Sequence, residues 1–275
     1  MSMLKIHSLI IYPIKSLGGI HVSKINVEPP GLQYDRRFML VDEHNNFITQ
    51  RTRPELTRFQ LESKNRGFEV IDQSTQSAKY LDYNPLVGSI EEVQIWDDRV
   101  MANEVLEDWS VWFTEKLGQY VRLFQLSAHF SRATNPSYHT EKSKISSFAD
   151  SLPILLCSEA SFQYLDSLLD KPLDWRRFRP NIIVSNQTAF EEDTWNEISI
   201  GSEVKLFGAK ACARCQLINV NPNDGTTDPN ILKTLSQTRK FKNKVYFGQQ
   251  FVPISLGEIK IDDLITIHKC KDAIF

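Results

Sequence analysis

Short apolar bursts separated by polar turns fill the first third of the chain. Residues 37–50, "RFMLVDEHNNFITQ", run apolar, break at Asn45 and Asn46, and turn apolar again, which predicts strand, turn, strand. Residues 58–72, "RFQLESKNRGFEVID", repeat the arrangement with Gly67 supplying the turn. Several short strands so close together predict a barrel or sandwich rather than alternating βαβ units. The period then lengthens. In "NEVLEDWSVWFTEKLG", residues 103–118, Val105, Leu106, Trp109, Trp112, Phe113 and Leu117 recur at helical spacing. Asn103 can cap this predicted helix and Gly118 can stop it, and the tryptophans read as core. "YVRLFQL", residues 120–126, returns to strand.

The pattern thins over residues 131–150, "SRATNPSYHTEKSKISSFAD", a long loop that is either a connection or part of an active site. Beyond it, "SEASFQYLDSLL" (158–169) predicts a helix capped by Ser158, with Phe162, Leu165 and Leu169 on one face. "NIIVS" (181–185) and "ISIGSEVKLFG" (198–208) read as strands. "DPNILKTLSQTRK" (228–240) predicts a short helix with Asp228 as N-cap and Pro229 in its first turn. "GEIKIDDLITIHK" (257–269) alternates like one barrel-closing strand. The expected class is α+β and strand-dominated: two β-barrel-like domains with flanking helices, residues 1–125 and 126–275.

Composition narrows the function classes. The 275 residues are 41% hydrophobic and 24% charged, enough for a sizeable core in a globular chain. A net charge of -2 argues against a general nucleic-acid or anionic-membrane binder, either of which selects a basic surplus. No membrane and no sequence-specific nucleic acid are therefore expected as partners. The longest apolar runs, "LIIYPI" and "LPILLC", are too short to span a bilayer. "MSMLKIHSLI" lacks a signal-peptide pattern, which makes a cytoplasmic location the default expectation. In that setting the four cysteines are not expected to form a disulfide framework. Cys157, inside "LPILLC", reads as a small buried hydrophobe, and Cys270 has no evident partner.

Three basic motifs carry the candidate chemistry. "YPIKS" ends an apolar strand with Lys15 and Ser16. "YDRRFML" holds Arg36 and Arg37 and is followed by Arg51 and Arg53. "DWRRFRPN" holds Arg176, Arg177, Arg179 and Asn181. Half-buried arginines need partners, and Asp35 and Asp174 stand beside them for salt bridges. Together, lysine, serine, arginine and asparagine also form a set suited to an anion. Guanidinium grips phosphate through two parallel charge-assisted bonds, and asparagine can pair with a heterocycle edge. The chain has no dinucleotide-binding glycine pattern and no P-loop, and "SLGG" at 16–19 is too short for either. The six histidines are scattered, with no H-E-x-x-H, and no nucleophile elbow is present.

One further stretch stands out, "AKACARCQLINVNPNDGTTDP", residues 209–229, with Cys212 and Cys215 three apart. A structural zinc site usually takes two such pairs. A redox pair belongs at a helix N-terminus in a βαβ setting, whereas "KLFGAKACARCQLINV" reads as strand, loop, strand. A single thiolate ligand to a soft or high-valent metal is a third reading, with Arg214 favouring the ionised form. Two inert cysteines are a fourth, and spacing alone leaves these alternatives open.

"YPIKS", "DRRFMLVD", "FRPNIIV", "CARCQLINVNPNDG" and "FGQQFVP" with "GEIKIDDLITI" occur in the order seen in MOSC proteins. MOSC names the C-terminal domain of molybdenum-cofactor sulfurase. The resemblance covers nearly the whole chain, including the N-terminal β-barrel domain that accompanies MOSC. It points to the branch containing the mitochondrial amidoxime-reducing component and its bacterial relatives.

The resemblance implies a molybdenum cofactor, a molybdopterin, held between two domains. It places Cys215 as the metal ligand and catalytic centre. Lys15, Ser16, Arg37, Arg179 and Asn181 are implied cofactor contacts, and Arg214 joins them beside the cysteine. The implied activity is an oxidoreductase that reduces small N-hydroxylated substrates: amidoximes, hydroxylamines and N-hydroxylated bases. No four-cysteine set for an iron–sulfur cluster is present, so a separate electron-transfer protein is the expected donor. Two alternatives use the same residues. One is a sulfur carrier with a persulfide on Cys215, fed by a pyridoxal phosphate-dependent desulfurase. The other is a noncatalytic molybdopterin-binding module. Where the family often has "V-D-P-x-T-G", this chain has "VNPNDG", so Asp224 stands for a threonine and raises the question of altered substrate scope.

Overall fold

The first apolar strand, Lys5–Ile11, does not stay with its sequence neighbours. In the computed structural model, which describes residues 3–126 and 132–275, it pairs antiparallel with Ile182–Ser185 from the second half of the chain. The sheet so begun runs in the order Ile20–Val22, Lys5–Ile11, Ile182–Ser185, Ile154–Ser158, Lys244–Pro253, Val204–Arg214, Trp195–Ile200, Ile265–Cys270. Ile154–Ser158 and Ile182–Ser185 are parallel, and the helix Glu159–Asp166 lies in the crossover between them. Every residue of Ile154–Ser158 is buried, as expected for a strand covered on both faces. The ladder does not close, but the chain entering Ile265–Cys270 returns to the start of Lys5–Ile11, next to the sheet's other edge. Ile6 N donates to Asp263 O and Ile265 N to Leu4 O, both at 3.0 Å.

Smaller sheets pack around this one. Phe38–Val41, Arg122–Leu126, Asp98–Val105 and Val87–Ile95 form a four-stranded antiparallel sheet. Phe59–Lys64, Gly67–Asp72 and Ser77–Asp82 form a meander. Gly67 is required there by close approach, since a Cβ would lie 2.0 Å from Leu81 O. One core cluster runs through both halves, joining Ile6, Phe38, Phe68 and Trp109 to Trp195 and Phe251. A second gathers Cys157, Phe162, Phe178 and Phe247, which leaves Cys157 fully buried as a small hydrophobe. The molecule is thus an α+β, strand-dominated fold.

Three elements differ from the sequence pattern. The predicted helix at 103–118 begins as strand. Asp98–Val105 extends along its neighbours with Asn103 opposite Gln125, and only Trp109–Leu117 is helical (α1). Glu107 and Asp108, at φ 64° and 58°, break the chain between them. Sheet pairing overrode a helical spacing that four of the six apolar positions still satisfy. Trp109, Phe113 and Leu117 are buried four residues apart, and Gly118 at φ 65° ends the helix. The expected closing strand at 257–269 is two strands, Gly257–Lys260 and Ile265–Cys270, broken at Asp262 (φ 69°). They pair with different partners, Lys24–Glu28 and Trp195–Ile200. Lastly, Val204–Arg214 is one continuous strand through Cys212, followed by a 3-10 turn, Gln216–Asn219, rather than strand, loop, strand.

The remaining helices follow the sequence closely. α2, Glu159–Asp166, is capped by Ser158, whose Oγ accepts from Ser161 N at 3.2 Å. α3, Asn230–Arg239, starts a little later than expected, with Pro229 just outside it and Asp228 accepting from Asn230 N. The long loop at 131–150 holds a 3-10 turn, Pro136–Tyr138, and two short strands. Its first residue, Ser131, lies outside the described residues.

Candidate cofactor site

A cavity of about 830 Å³ opens where the end of Val204–Arg214 faces the residues that follow Lys5–Ile11. Its lining comes from both sides of residue 125. Six cationic side chains reach it: Lys15, Arg36, Arg179, Lys210, Arg214 and Lys244. Asp150 is the one carboxylate among its lining residues. In a chain of net charge -2, this concentrates positive potential in one place.

The strand ending at Arg214 delivers the cysteines to different fates. Cys212 and Arg214 are two apart and share a face. Arg214 Nη1 donates to Cys212 Sγ at 3.1 Å, and its Nη2 donates to Phe178 O at 2.8 Å. The strand stops there, and Cys215 becomes the exposed cap of the 3-10 turn on the cavity wall. All four cysteines are free. The turn behind Cys215 is braced from outside. Arg177 Nη1 donates to Asn219 O at 2.9 Å, and Asn219 Oδ1 accepts from Leu232 N in α3 at 3.0 Å.

The opposite wall is built on backbone that most residues avoid. Ser16, Arg36 and Arg179 all adopt left-handed conformations, with φ of 66°, 49° and 54°. Such positions cost about 1–3 kcal/mol each and cluster where a site needs a fixed side-chain direction. Here they turn two guanidinium groups onto one aromatic ring, Arg36 at 4.4 Å and Arg179 at 4.2 Å from the centroid of Tyr12. Tyr12 OH donates to Pro180 O, and burial pushes its pKa up despite both arginines. Arg179 Nη1 donates to Leu17 O at 2.7 Å, whereas its buried Nη2 has no partner among the described residues. Burial first, then repulsion from Arg36, lowers the Arg179 pKa to about 10, so it stays charged at neutral pH.

Lys15 is almost fully buried and donates to Phe148 O at 2.9 Å and to Asp150 Oδ1. Trp96 Nε1 donates to the same oxygen at 3.2 Å, leaving Asp150 Oδ2 without a partner among the described residues. Burial lowers the Lys15 pKa while Asp150 pulls it back up. Desolvation against the cavity wall would raise Asp150, whose side chain is still half exposed, but Lys15 and Trp96 outweigh it and hold the carboxyl well below its ordinary range.

Of the residues singled out in the sequence, the cavity brings together Lys15, Ser16, Arg179, Asn181, Arg214 and Cys215. Arg37 is not in the lining. It turns away to pair with Glu28 at 2.5 Å, and its neighbour Arg36 faces the cavity instead. The expected salt bridges are present too, Arg36 with Asp35 at 2.6 Å and Arg176 with Asp174 at 2.5 Å. Arg51 stacks on Trp96 at 4.0 Å, and Arg53 donates to Leu117 O at 3.1 Å. Asp224 lies outside the cavity lining and closes a turn, accepting from Thr226 N at 2.8 Å and Thr226 Oγ1 at 2.7 Å. Sequence reasoning missed Lys210, Lys244 and Asp150. The only signal for Asp150 was its place at the end of the long loop, which also contributes Tyr138 to the lining.

Both halves of the chain match known domain families. Residues 3–120 match the MOSC N-terminal beta barrel domain, and residues 143–266 match the MOSC domain. The chain is 29% identical to mitochondrial amidoxime-reducing component 1 of Mus musculus, over 94% of this chain and 80% of that protein. It is 29% identical to mitochondrial amidoxime reducing component 2 of Rattus norvegicus, over 92% and 80%. It is also 30% identical to molybdenum cofactor sulfurase of Oryza sativa, but over only 31% of that longer protein. Among the described residues, no helix is long and apolar enough to cross a membrane. With a MOSC N-terminal β-barrel domain ahead of a MOSC domain, the chain is a MOSC-domain protein that resembles the mitochondrial amidoxime-reducing components.

Proposed function

We propose that the cavity binds a molybdopterin-type cofactor, with the Cys215 thiolate as its protein ligand to the metal, and that the protein reduces small N-hydroxylated compounds. One observation carries this reading: a single exposed thiol stands on the wall of a cavity that presents six cations against one carboxylate. The donor set fits such a group. Its phosphate and dithiolene are anionic, and a volume of about 830 Å³ suits an organic cofactor. Among the described residues no cluster of three or more His, Cys, Asp or Glu could hold a metal. One thiolate would therefore complete a coordination sphere that the cofactor's own sulfurs supply.

When bound, the cofactor supplies the two-electron chemistry. Arg36, Arg179, Lys210 and Lys244 would neutralise its negative charge, and Ser16 would offer a hydroxyl. Arg214 is tied to Cys212 and Phe178, so it fixes the strand end from which Cys215 projects. Converting N–OH to N–H breaks the N–O bond, consumes two electrons and two protons, and releases water. Asp150 stays ionised beside Lys15, so its unpartnered oxygen acts as an acceptor that orients a substrate N–H or amidine group. A separate electron-transfer protein would supply the electrons, and a cytoplasmic setting would suit one. The relatives' names support the amidoxime class. They also carry the word mitochondrial, so location is best tested directly by fractionation.

The test is purification from a cofactor-producing host, molybdenum analysis, and benzamidoxime reduction with dithionite-reduced methyl viologen. Wild type should hold about one molybdenum per chain and turn over, and Cys215→Ser should lose both. Metal-free wild type carrying a sulfur adduct on Cys215 by mass spectrometry would replace this reading with sulfur transfer. Bound pterin without turnover would reduce it to a binding module.

A further inference from the structure

A second, smaller cavity of about 140 Å³ lies behind the first and shares Arg179 and Leu217 with it. Its walls include Arg176, Arg177, Arg179 and His21, and no carboxylate is among its lining residues. Asp174 pairs with Arg176 from outside this space, but no carboxylate within it offsets Arg177 and Arg179, so an anion placed there meets guanidinium charge from three sides. Their hydrogen-bond capacity is only partly used inside the protein. Arg176 gives Nε and Nη2 to Asp174 and Nη2 to Asn223. Arg177 gives Nη1 to the carbonyls of Ile218 and Asn219. Arg179 gives Nη1 to Leu17 O and leaves the buried Nη2 unpartnered among the described residues.

The glycines that belonged to no recognised motif form part of this wall. A Cβ on Gly18 would lie 2.8 Å from Gln60 Oε1, and one on Gly19 would lie 2.7 Å from the Tyr12 ring. Only residues without side chains let the "SLGG" segment pass this close. Tyr12 lines the pocket, with Arg179 stacked on its ring and Arg36 also over it.

We infer that this second cavity is a binding site for one phosphate group, separate from the space that Cys215 faces and joined to it through Arg179. Phosphate suits the arrangement because its several oxygens can each take guanidinium N–H donors at once. A volume of about 140 Å³ holds one such group and little more. The phosphate has two possible sources, free phosphate from solution or the terminal phosphate of the ligand filling the larger cavity. The inference itself does not depend on the redox reading.

The test is calorimetric titration of inorganic phosphate into the full chain, prepared free of cofactor, phosphate and sulfate. The larger cavity also attracts anions, so the decisive comparison is between variants. A saturable site should weaken at least tenfold in Arg177→Gln and persist in the double variant Lys210→Gln, Lys244→Gln. Arg176→Gln, which leaves the bonds to Ile218 and Asn219 intact, should show the same loss and guards against a folding effect of Arg177→Gln. Repeating the titration on cofactor-loaded protein separates the sources. Retained binding identifies free phosphate, and lost binding identifies the ligand's own phosphate. Absence of saturable binding, or binding untouched by both arginine variants, overturns the inference.

Discussion

Arg36 donates from Nη1 to Asn181 Oδ1 at 3.1 Å, an oxygen that also accepts from Leu155 N at 3.1 Å. The same amide donates from Nδ2 to Ile10 O at 3.2 Å. Asn181 is 1% exposed, and these bonds use most of its capacity inside the protein. It therefore ties two strands of the central sheet together and aims Arg36, although the sequence suggested a direct contact with a heterocycle. Asn181→Ala should cost about 2 kcal/mol or more of stability, because it strands a buried N–H and a guanidinium. Urea unfolding checks this. An unchanged midpoint would return Asn181 to the role of a ligand contact.

The two neighbouring arginines should separate cleanly. Arg36 lines the cavity, and Arg37 forms a half-exposed pair with Glu28. Arg36→Gln should lower cofactor retention strongly. Arg37→Gln should cost under about 1 kcal/mol in stability, as partly exposed ion pairs do, and leave retention near wild type. Pterin fluorescence after gel filtration reads both. Equal losses in the two variants would contradict the geometry.

That doublet shows what the sequence could and could not convey. "DRRF" announced that an arginine is needed, but which one faces the cavity depends on a left-handed turn at Arg36, and a propensity for φ of 49° is not legible in an arginine. Strands were legible where alternation and turn residues coincide, as at 58–72. They were not legible where long-range pairing decides, as at 103–105, where Val105 also fits the helical spacing that continues to Leu117. Cys215 was legible only through its motif. Its exposure follows from a strand that runs to Arg214 and then stops, and the spacing of two cysteines contains no trace of that. Lys210 and Lys244 were hidden because a lysine on a strand reads as solvated surface until the partner strand is placed.

Glu192 predicts a specific pH dependence. It is fully buried and accepts from Ser158 N, Ser158 Oγ and Ser161 Oγ at the start of α2. Burial pushes its pKa up from 4.5 to about 7, against the hydrogen bonds that favour the ionised form. Between these values the unfolded chain loses the proton while the folded chain keeps it, so stability falls as pH rises from 4.5 towards 7 and levels off above. The contribution is about 3 kcal/mol at most. Glu192→Gln should flatten this slope and gain stability relative to wild type at pH 8, since the serine hydroxyls can rotate to meet an amide. Urea midpoints of both proteins at pH 5 and pH 8 test it. Parallel curves for the two proteins would show that Glu192 is ionised throughout.

The loop behind Cys215 yields the last prediction, and it separates backbone from chemistry. Gly225 adopts φ +73°, and a Cβ there would lie 2.8 Å from Pro54 O. Its N–H also donates to Asn221 O at 2.9 Å. Gly225→Ala must therefore both strain the turn and push it away from the N-terminal half, at a cost of about 1–3 kcal/mol. The displaced turn leads back through Asn219 to the 3-10 turn that Cys215 caps, so metal content should fall along with stability. Asp224 sits one residue earlier but only closes the turn through Thr226, outside the cavity lining. Asp224→Thr should thus leave relative rates on small and bulky amidoximes within about twofold of wild type, less than 1 kcal/mol. A change in substrate preference in Asp224→Thr, with Gly225→Ala behaving as wild type, would mean that this loop acts on substrate directly rather than by holding Cys215 in place.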